Sequence, residues 1–215
     1  LSGPYAESTK TLLITSAMSG EGKTSLTTHL AVSLAGAGRR VLLIDADMRR
    51  PAVHKVLGLE SKPGLAELLV GNAKLDFVTQ TCKIPGLHLV PAGVYSREAA
   101  AALSGENFAN LLKEAAIGYD FVLVDSPPIL PVADALAISK NVDGVLISVM
   151  QDLSRYGAVQ TACQRLSLVG ANVLGVVVSG VKTTGGYSYY YYDERYSKPD
   201  TASGTDAAVV PTTPA

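Results

Sequence analysis

The residues best suited to chemistry lie in the stretch 12–25, LLITSAMSGEGKTS, where an apolar run breaks into a small loop that ends in Gly22, Lys23 and Thr24. An apolar segment precedes this loop, and THLAVSLAGAG at 28–38 follows it with apolar residues at helical spacing. The loop therefore joins a strand to a helix N-terminus, where unpaired N–H groups and the helix dipole favour an anion. Gly20 and Gly22 let the backbone close around phosphate oxygens that a Cβ would obstruct. At this spacing Lys23 serves as a point charge for the β- and γ-phosphates, and the Thr24 hydroxyl as a Mg²⁺ ligand. The usual pattern begins with Gly five residues before Gly22, where this chain has Ala17, the smallest replacement.

Phosphoryl transfer also needs a metal and a group that orients or deprotonates the nucleophile. Carboxylates for both tasks stand at the ends of apolar runs. VLLIDADMRRP at 41–51 ends in Asp45 and Asp47, and FVLVDSPP at 121–128 ends in Asp125. Asp125 is expected to hold Mg²⁺ through water. Asp45 and Asp47 stand two apart at one strand end and are not expected to enter the same pocket together. Asp45 is then the expected catalytic carboxylate, and Asp47 the metal-site or structural partner, with pairing to Arg49 or Arg50 as its other role. Arg49 and Arg50 suit either phosphate charge or a subunit boundary, or are a solvated pair. His29, His54 and His88 lie apart without ligand spacing and read as structural.

The elements that would position these groups alternate. After the first strand and helix come an apolar strand at 41–45, helix-like PAVHKVL at 51–57 and GLAELLVG at 64–71. A strand follows at 86–93, then a helical stretch at 97–116 that Ser104-Gly105 is placed to split, and a strand at 119–125. A helix at about 131–140, a strand at 143–150, a helix at about 154–169 and a strand at 171–180 complete the pattern. This predicts an α/β fold of the P-loop NTPase type, a mostly parallel sheet with helices on both faces. Ligands on such sheets collect at the carboxyl ends of strands. Lys23, Thr24, Asp45, Asp47 and Asp125 all fall there.

Three regions are expected: a polar lead-in at 1–10, the nucleotide-binding domain at 11–182, and a flexible tail at 183–215. The tail carries Tyr187, Tyr189, Tyr190, Tyr191, Tyr192 and Tyr196, six tyrosines within ten positions, and then a Ser/Thr/Pro/Ala-rich end. With 47% hydrophobic residues and a formal net charge of −1, composition supports a full core and gives no electrostatic argument for nucleic acid. Cys82 and Cys163 have no metal or disulfide spacing. No apolar run reaches the length needed to cross a bilayer, and no signal segment is evident, so the chain reads as cytoplasmic in character. It opens at Leu1 without Met, which also suits the inner-face portion of a longer membrane protein.

In this order, the loop, LLIDADMRRP, the PGLAELL stretch at 63–69 and VLVDSPP resemble the bacterial tyrosine kinases of capsule and exopolysaccharide export. The resemblance covers about residues 11–182. It implies that Ser19, Gly20, Glu21, Gly22, Lys23, Thr24 and Ser25 wrap the phosphates of ATP, that Lys23, Asp45 and Asp47 are catalytic, and that Thr24, Asp47 and Asp125 hold Mg²⁺. It also implies autophosphorylation in trans of the tail tyrosines, at the inner face of the bacterial cell membrane. The implied partners are a membrane activator or the protein's own transmembrane co-polymerase segment, neighbouring subunits of a homo-oligomer, and a cognate tyrosine phosphatase.

Several positions depart from that family's pattern. Ser19 stands where Pro is common, and only Glu7 and Lys10 echo the ring-closing helix. Ser179 and Gly180 replace an Asn-Arg near the base. Relatives that partition DNA or place the septum carry a further lysine at the position of Met18, which separates this chain from them. Two other readings are compatible with the motifs: an ATPase switch that controls assembly with a membrane partner, and a binding module that holds nucleotide without turnover.

Overall fold

A computed structural model describes residues 9–181. The tyrosine cluster at 187–196, Glu7 and most of the lead-in lie outside the described residues.

The continuous apolar runs form strands buried on both faces, as parallel strands under two helical layers must be. β1 (Thr11–Ser16) and β2 (Val41–Asp45) are buried along their whole length. β5 (Phe121–Asp125) and β6 (Gly144–Met150) flank β1, with β5 between β1 and β2. β4 (Leu87–Val90) lies outside β2, and β7 (Val173–Ser179) outside β6. These six strands are parallel. The short β3 (Gln80–Thr81) adds an antiparallel edge to β4, giving the order β3-β4-β2-β5-β1-β6-β7 among the described residues.

Strand alternation divides the core. Leu12, Ile14, Val41, Leu43, Leu87, Leu89 and Leu123 face one layer with Ala31 and Ala35 of α1 (Lys23–Gly36) and Val53 of α2 (Val53–Leu57). Leu13, Leu42, Ile44, Val122, Val124, Val145 and Ile147 face the other. That layer holds α3 (Leu65–Leu69), α5 (Arg97–Ala102), α6 (Glu106–Gly118), α7 (Asp134–Ser139) and α8 (Tyr156–Leu168). Each large side chain taken fully out of water contributes about 1.5–3 kcal/mol. Phe108 of α6 is the largest fully buried one.

The sheet order puts the C-terminal ends of β1, β2 and β5 side by side at its centre. Ile14 and Asp45 both register with Asp125. Three elements depart from the sequence expectation. α1 begins at Lys23, five residues before the apolar periodicity starts, because its first turns bury Lys23, Thr27 and Thr28 rather than apolar residues. α4 (Leu75–Val78) and β3 were not anticipated, being too short to show a period. The break between α5 and α6 falls at Ser104-Gly105, as the sequence suggests. Among the described residues no helix is long and apolar enough to cross a membrane.

Candidate functional site

The loop between β1 and α1 turns on two glycines with positive φ, Gly20 (88°) and Gly22 (78°), a region that L side chains rarely adopt. Gly22 is also the N-cap of α1. It offers no side chain, and the first turn of α1 has no acidic residue. The orphan N–H groups of that helix end therefore face outward without an anionic partner from the chain. They open onto a cavity of about 550 Å³ lined by Ser19, Gly20, Gly22, Lys23, Thr24 and Ser25 on one side. Asp47, Arg49 and Arg50 line another side, with Pro127, Pro128 and Pro131 beyond them.

Glu21 belongs to the same loop but does not line that cavity. It is 2% exposed and latches the loop to the β6–α8 connection. Its carboxylate accepts from the Met18 N–H (2.7 Å) and the Ser154 hydroxyl (2.6 Å), and its carbonyl accepts from the Ser148 hydroxyl (2.6 Å). Sequence reading took Glu21 as a phosphate-wrapping residue. Two of its partners, Ser148 and Ser154, stand more than a hundred positions away in the chain and leave no local signal.

The three aspartates occupy distinct levels. Asp125 is buried at the end of β5, where Thr24 donates to its Oδ2 at 2.7 Å and the Thr27 hydroxyl lies 3.2 Å from its Oδ1. Asp45 is fully buried at the end of β2 and does not line the cavity. It accepts from the N–H groups of Asp47 (3.2 Å), Ala52 (3.2 Å) and Val53 (3.1 Å), so it holds the whole 46–53 turn in place. Asp47 lines the cavity, accepts from the Arg50 N–H at 3.1 Å and lies 3.5 Å from Lys23 Nζ. Residues two apart on a regular strand share a face, so strand geometry does not separate Asp45 from Asp47; the end of the strand does. β2 ends at Asp45, and the turn after it carries Asp47 back over the phosphate loop.

Burial dominates the electrostatics. It pushes the Asp45 carboxyl up to about 7, with the charge of Asp125 adding to the rise, against the N–H groups of Val53 and Ala52. Burial also raises Asp125 to about 6, opposed first by the Thr24 hydroxyl and then by Lys23. Three buried carboxylates thus share one buried lysine, an excess of negative charge that a divalent cation beside Thr24 and Asp125 would offset. Hydroxyl and carboxylate oxygens suit Mg²⁺. Among the described residues no three His, Cys, Asp or Glu side chains converge on one point. That fits an ion which takes most of its ligands from phosphate and water.

At the cavity rim Arg49 donates through Nε to Asp134 Oδ2 at 3.0 Å and through Nη1 to the Tyr95 hydroxyl at 3.3 Å, with its guanidinium 5.4 Å from the Tyr95 ring centroid. Neither Asp134 nor Tyr95 was singled out from sequence. Of the histidines, His54 and His88 each keep a buried Nδ1 without a hydrogen-bond partner and stand away from the cavity.

A family model described as an AAA domain matches residues 9–173. The tyrosine-protein kinase YwqD of Bacillus subtilis is 34% identical over 183 residues, 85% of this chain and 77% of that protein. The tyrosine-protein kinase wzc of Salmonella typhi is 32% identical over 187 residues, 86% of this chain but 26% of that much longer protein. Among solved structures, the kinase domain of the Escherichia coli tyrosine kinase ETK superposes with a TM-score of 0.79 at 31% identity, covering 88% of this chain and 74% of that one. The septum site-determining protein MinD of Pyrococcus horikoshii, solved with Mg-ADP, shares the fold at a TM-score of 0.69 and 24% identity, covering 79% of this chain and 70% of that one. With its phosphate loop, its ordered aspartates and these likenesses, the chain belongs to the bacterial tyrosine-protein kinases, whose kinase domain is this P-loop α/β sheet.

Proposed function

We propose that the chain transfers the γ-phosphoryl group of ATP, with Mg²⁺, to tyrosines of its own C-terminal cluster in a neighbouring subunit, and that this modification regulates exopolysaccharide or capsule polymerisation and export. The observation that carries the reading is the convergence on one cavity of the uncapped α1 N-terminus, Lys23 and Asp47.

In this reading the N–H groups of the 19–25 loop and the Lys23 ammonium bind the phosphates and hold the transferring group. Lys23 exchanges its contact with Asp47 for phosphate, which frees the Asp47 carboxylate to accept the proton of the incoming tyrosine hydroxyl. The tyrosine oxygen forms its bond to phosphorus as the bond to the ADP oxygen breaks. Thr24 and Asp125, with Asp47 nearby, are the residues that would hold Mg²⁺, which when bound neutralises phosphate charge. Asp45 acts through the turn it anchors. Pro127, Pro128 and Pro131 wall the cavity without donors that compete for phosphate.

The acceptors are Tyr187, Tyr189, Tyr190, Tyr191, Tyr192 and Tyr196. Phosphates on so many adjacent tyrosines would repel one another and the carboxylates of the site, which favours release after transfer. The proposed partners are a membrane activator or a transmembrane co-polymerase segment of the same protein, neighbouring subunits, and a tyrosine phosphatase that resets the tail, all at the inner face of the cell membrane.

Mass spectrometry of the tail peptide, before and after incubation with ATP and Mg²⁺, tests the reading, with a Lys23→Met protein alongside. Phosphotyrosine at 187–196 that depends on Lys23 is expected. Release of inorganic phosphate with an unmodified tail, in the presence of the activating membrane segment, would instead identify an ATPase switch.

A further inference from the structure

Behind the phosphate loop lies a second, smaller cavity of about 260 Å³, lined by Met18, Ser19, Glu21, Leu153, Arg155 and Ala158. Ser19 lines this notch and the nucleotide cavity alike, so the two abut across the loop. The floor of the notch is fixed. The Glu21 latch to Met18 and Ser154 ties the loop to the β6–α8 connection, and Ser154 in turn accepts from the Met150 N–H at 2.9 Å.

The walls are apolar and open to solvent. Met18 is 45% exposed and Leu153 is 55% exposed, although Leu153 lies close over Gly20. Both leave apolar surface at the mouth of the cavity. Arg155, the N-cap of α8, is exposed and makes no ion pair among the described residues. The notch thus offers an apolar slot with Arg155 at its edge, a cation without an ion pair among the described residues, and Arg50 lines the adjoining cavity.

We propose that this notch is the docking site for the acceptor tail of a neighbouring copy of the chain: one tyrosine of 187–192 fills the slot, and Asp193 and Glu194 pair with Arg155. This inference rests on the tail being the acceptor and names the subsite that recognises it. The tail supplies the complementary chemistry in sequence, a run of tyrosines followed at once by Asp193 and Glu194, with Arg195 beyond them. A tyrosine ring brings apolar area and a polar tip that suits a half-wet slot. An extended chain advances about 3.3 Å per residue, so seating one tyrosine in the notch carries its neighbours across Ser19 to the nucleotide cavity. Changing which tyrosine is seated shifts the register and presents another of the run.

The test is direct binding, which needs no turnover. A fluorescent peptide of residues 183–197 is titrated by anisotropy into the full chain, into Arg155→Glu and into Leu153→Asp, with circular dichroism and thermal unfolding to show that both variants fold. The tail of each protein is present in every sample, so the comparison is between variants. About tenfold weaker binding is expected for each variant, since both the charge pair and the apolar anchor are interface contacts. A peptide carrying Asp193→Lys and Glu194→Lys should regain affinity for Arg155→Glu. Equal binding to all three proteins, or no binding to the unaltered chain, would overturn the proposal. If the peptide docks as described yet never acquires phosphotyrosine, the docking site stands and the assignment of the tail as acceptor falls.

Discussion

Replacing Asp45 with Ala separates anchoring from chemistry at the end of β2. The Asp45 carboxylate accepts from three backbone N–H groups at 3.1–3.2 Å, those of Asp47, Ala52 and Val53. Each buried donor left without an acceptor costs about 1–3 kcal/mol. Two terms offset that loss: Ala52 is half-buried, so water reaches part of the site, and the substitution removes a carboxylate that burial and Asp125 already hold at about 7. The net destabilisation is about 2–4 kcal/mol, which for a domain of this size lowers Tm by about 5–15 °C. Asp47→Ala removes one lysine contact and one N–H bond at the cavity wall, so it should shift Tm by only about 2–4 °C while lowering kcat by about a hundredfold or more. Thermal unfolding and single-turnover phosphorylation of both variants at pH 8 give the comparison. An Asp45→Ala protein with unchanged Tm and no activity would make Asp45 the chemical group and sink the anchoring argument.

Two further outcomes follow from the geometry. Asp45 and Asp125, held at about 7 and about 6 against an ordinary 3.8, keep protons in the folded state that the unfolded chain releases. Stability of the nucleotide-free protein should therefore fall as pH rises from about 4 to about 7. The decline for Asp45 is at most about 4 kcal/mol, and Asp45→Asn should flatten a plot of Tm against pH; an unchanged slope in that variant would contradict the assignment. Gly64→Ala should lower the urea midpoint by about 3 kcal/mol of stability, because its Cβ would fall on the Pro91 carbonyl oxygen and lie 2.5 Å from the Gly93 nitrogen, backbone atoms that cannot rotate away. A stable Gly64→Ala protein would mean that the α3 N-terminus can move off the turn after β4.

What was legible in the sequence was what repeats or stands next to itself. VLLID and FVLVD read as strands because both faces of each are covered, so no polar residue interrupts the run before its terminal aspartate. The apolar part of α1 was legible for the same reason. Its first turn was not, because Lys23, Thr27 and Thr28 are buried there for their polar atoms: the Thr24 and Thr27 hydroxyls reach Asp125, which belongs to a strand about a hundred residues later. A periodicity search counts such residues as solvent-facing, and the functional end of the helix therefore looks like loop. β3 fails for a different reason. Two residues have no period, and Gln80 and Thr81 are extended only because β4 offers them a partner.

The site shows the same division at finer scale. Gly22, Lys23, Thr24 and Asp125 are recognisable because their roles are imposed by the loop and strand on which they stand. The relation of Asp45 to Asp47 depends on one backbone fact, that β2 stops at Asp45: the Ala46 N–H makes the last ladder bond, to the Asp125 carbonyl at 2.8 Å, and beyond it the Asp45 side chain collects the turn around itself. Glu21 makes the point most sharply. Written between two glycines, it looks like a spacer, yet its carboxylate joins the two halves of the chain through Ser154, and Ser148 binds its carbonyl. The loop between β1 and α1 is consequently held by Ser148 of β6 and by Ser154 of the β6–α8 connection, the same connection that supplies Leu153 and Arg155 to the notch beside it. The Glu21 carboxylate, held by the Met18 N–H and the Ser154 hydroxyl, is thus the side-chain link between that connection and the loop, and no local sequence pattern announces it.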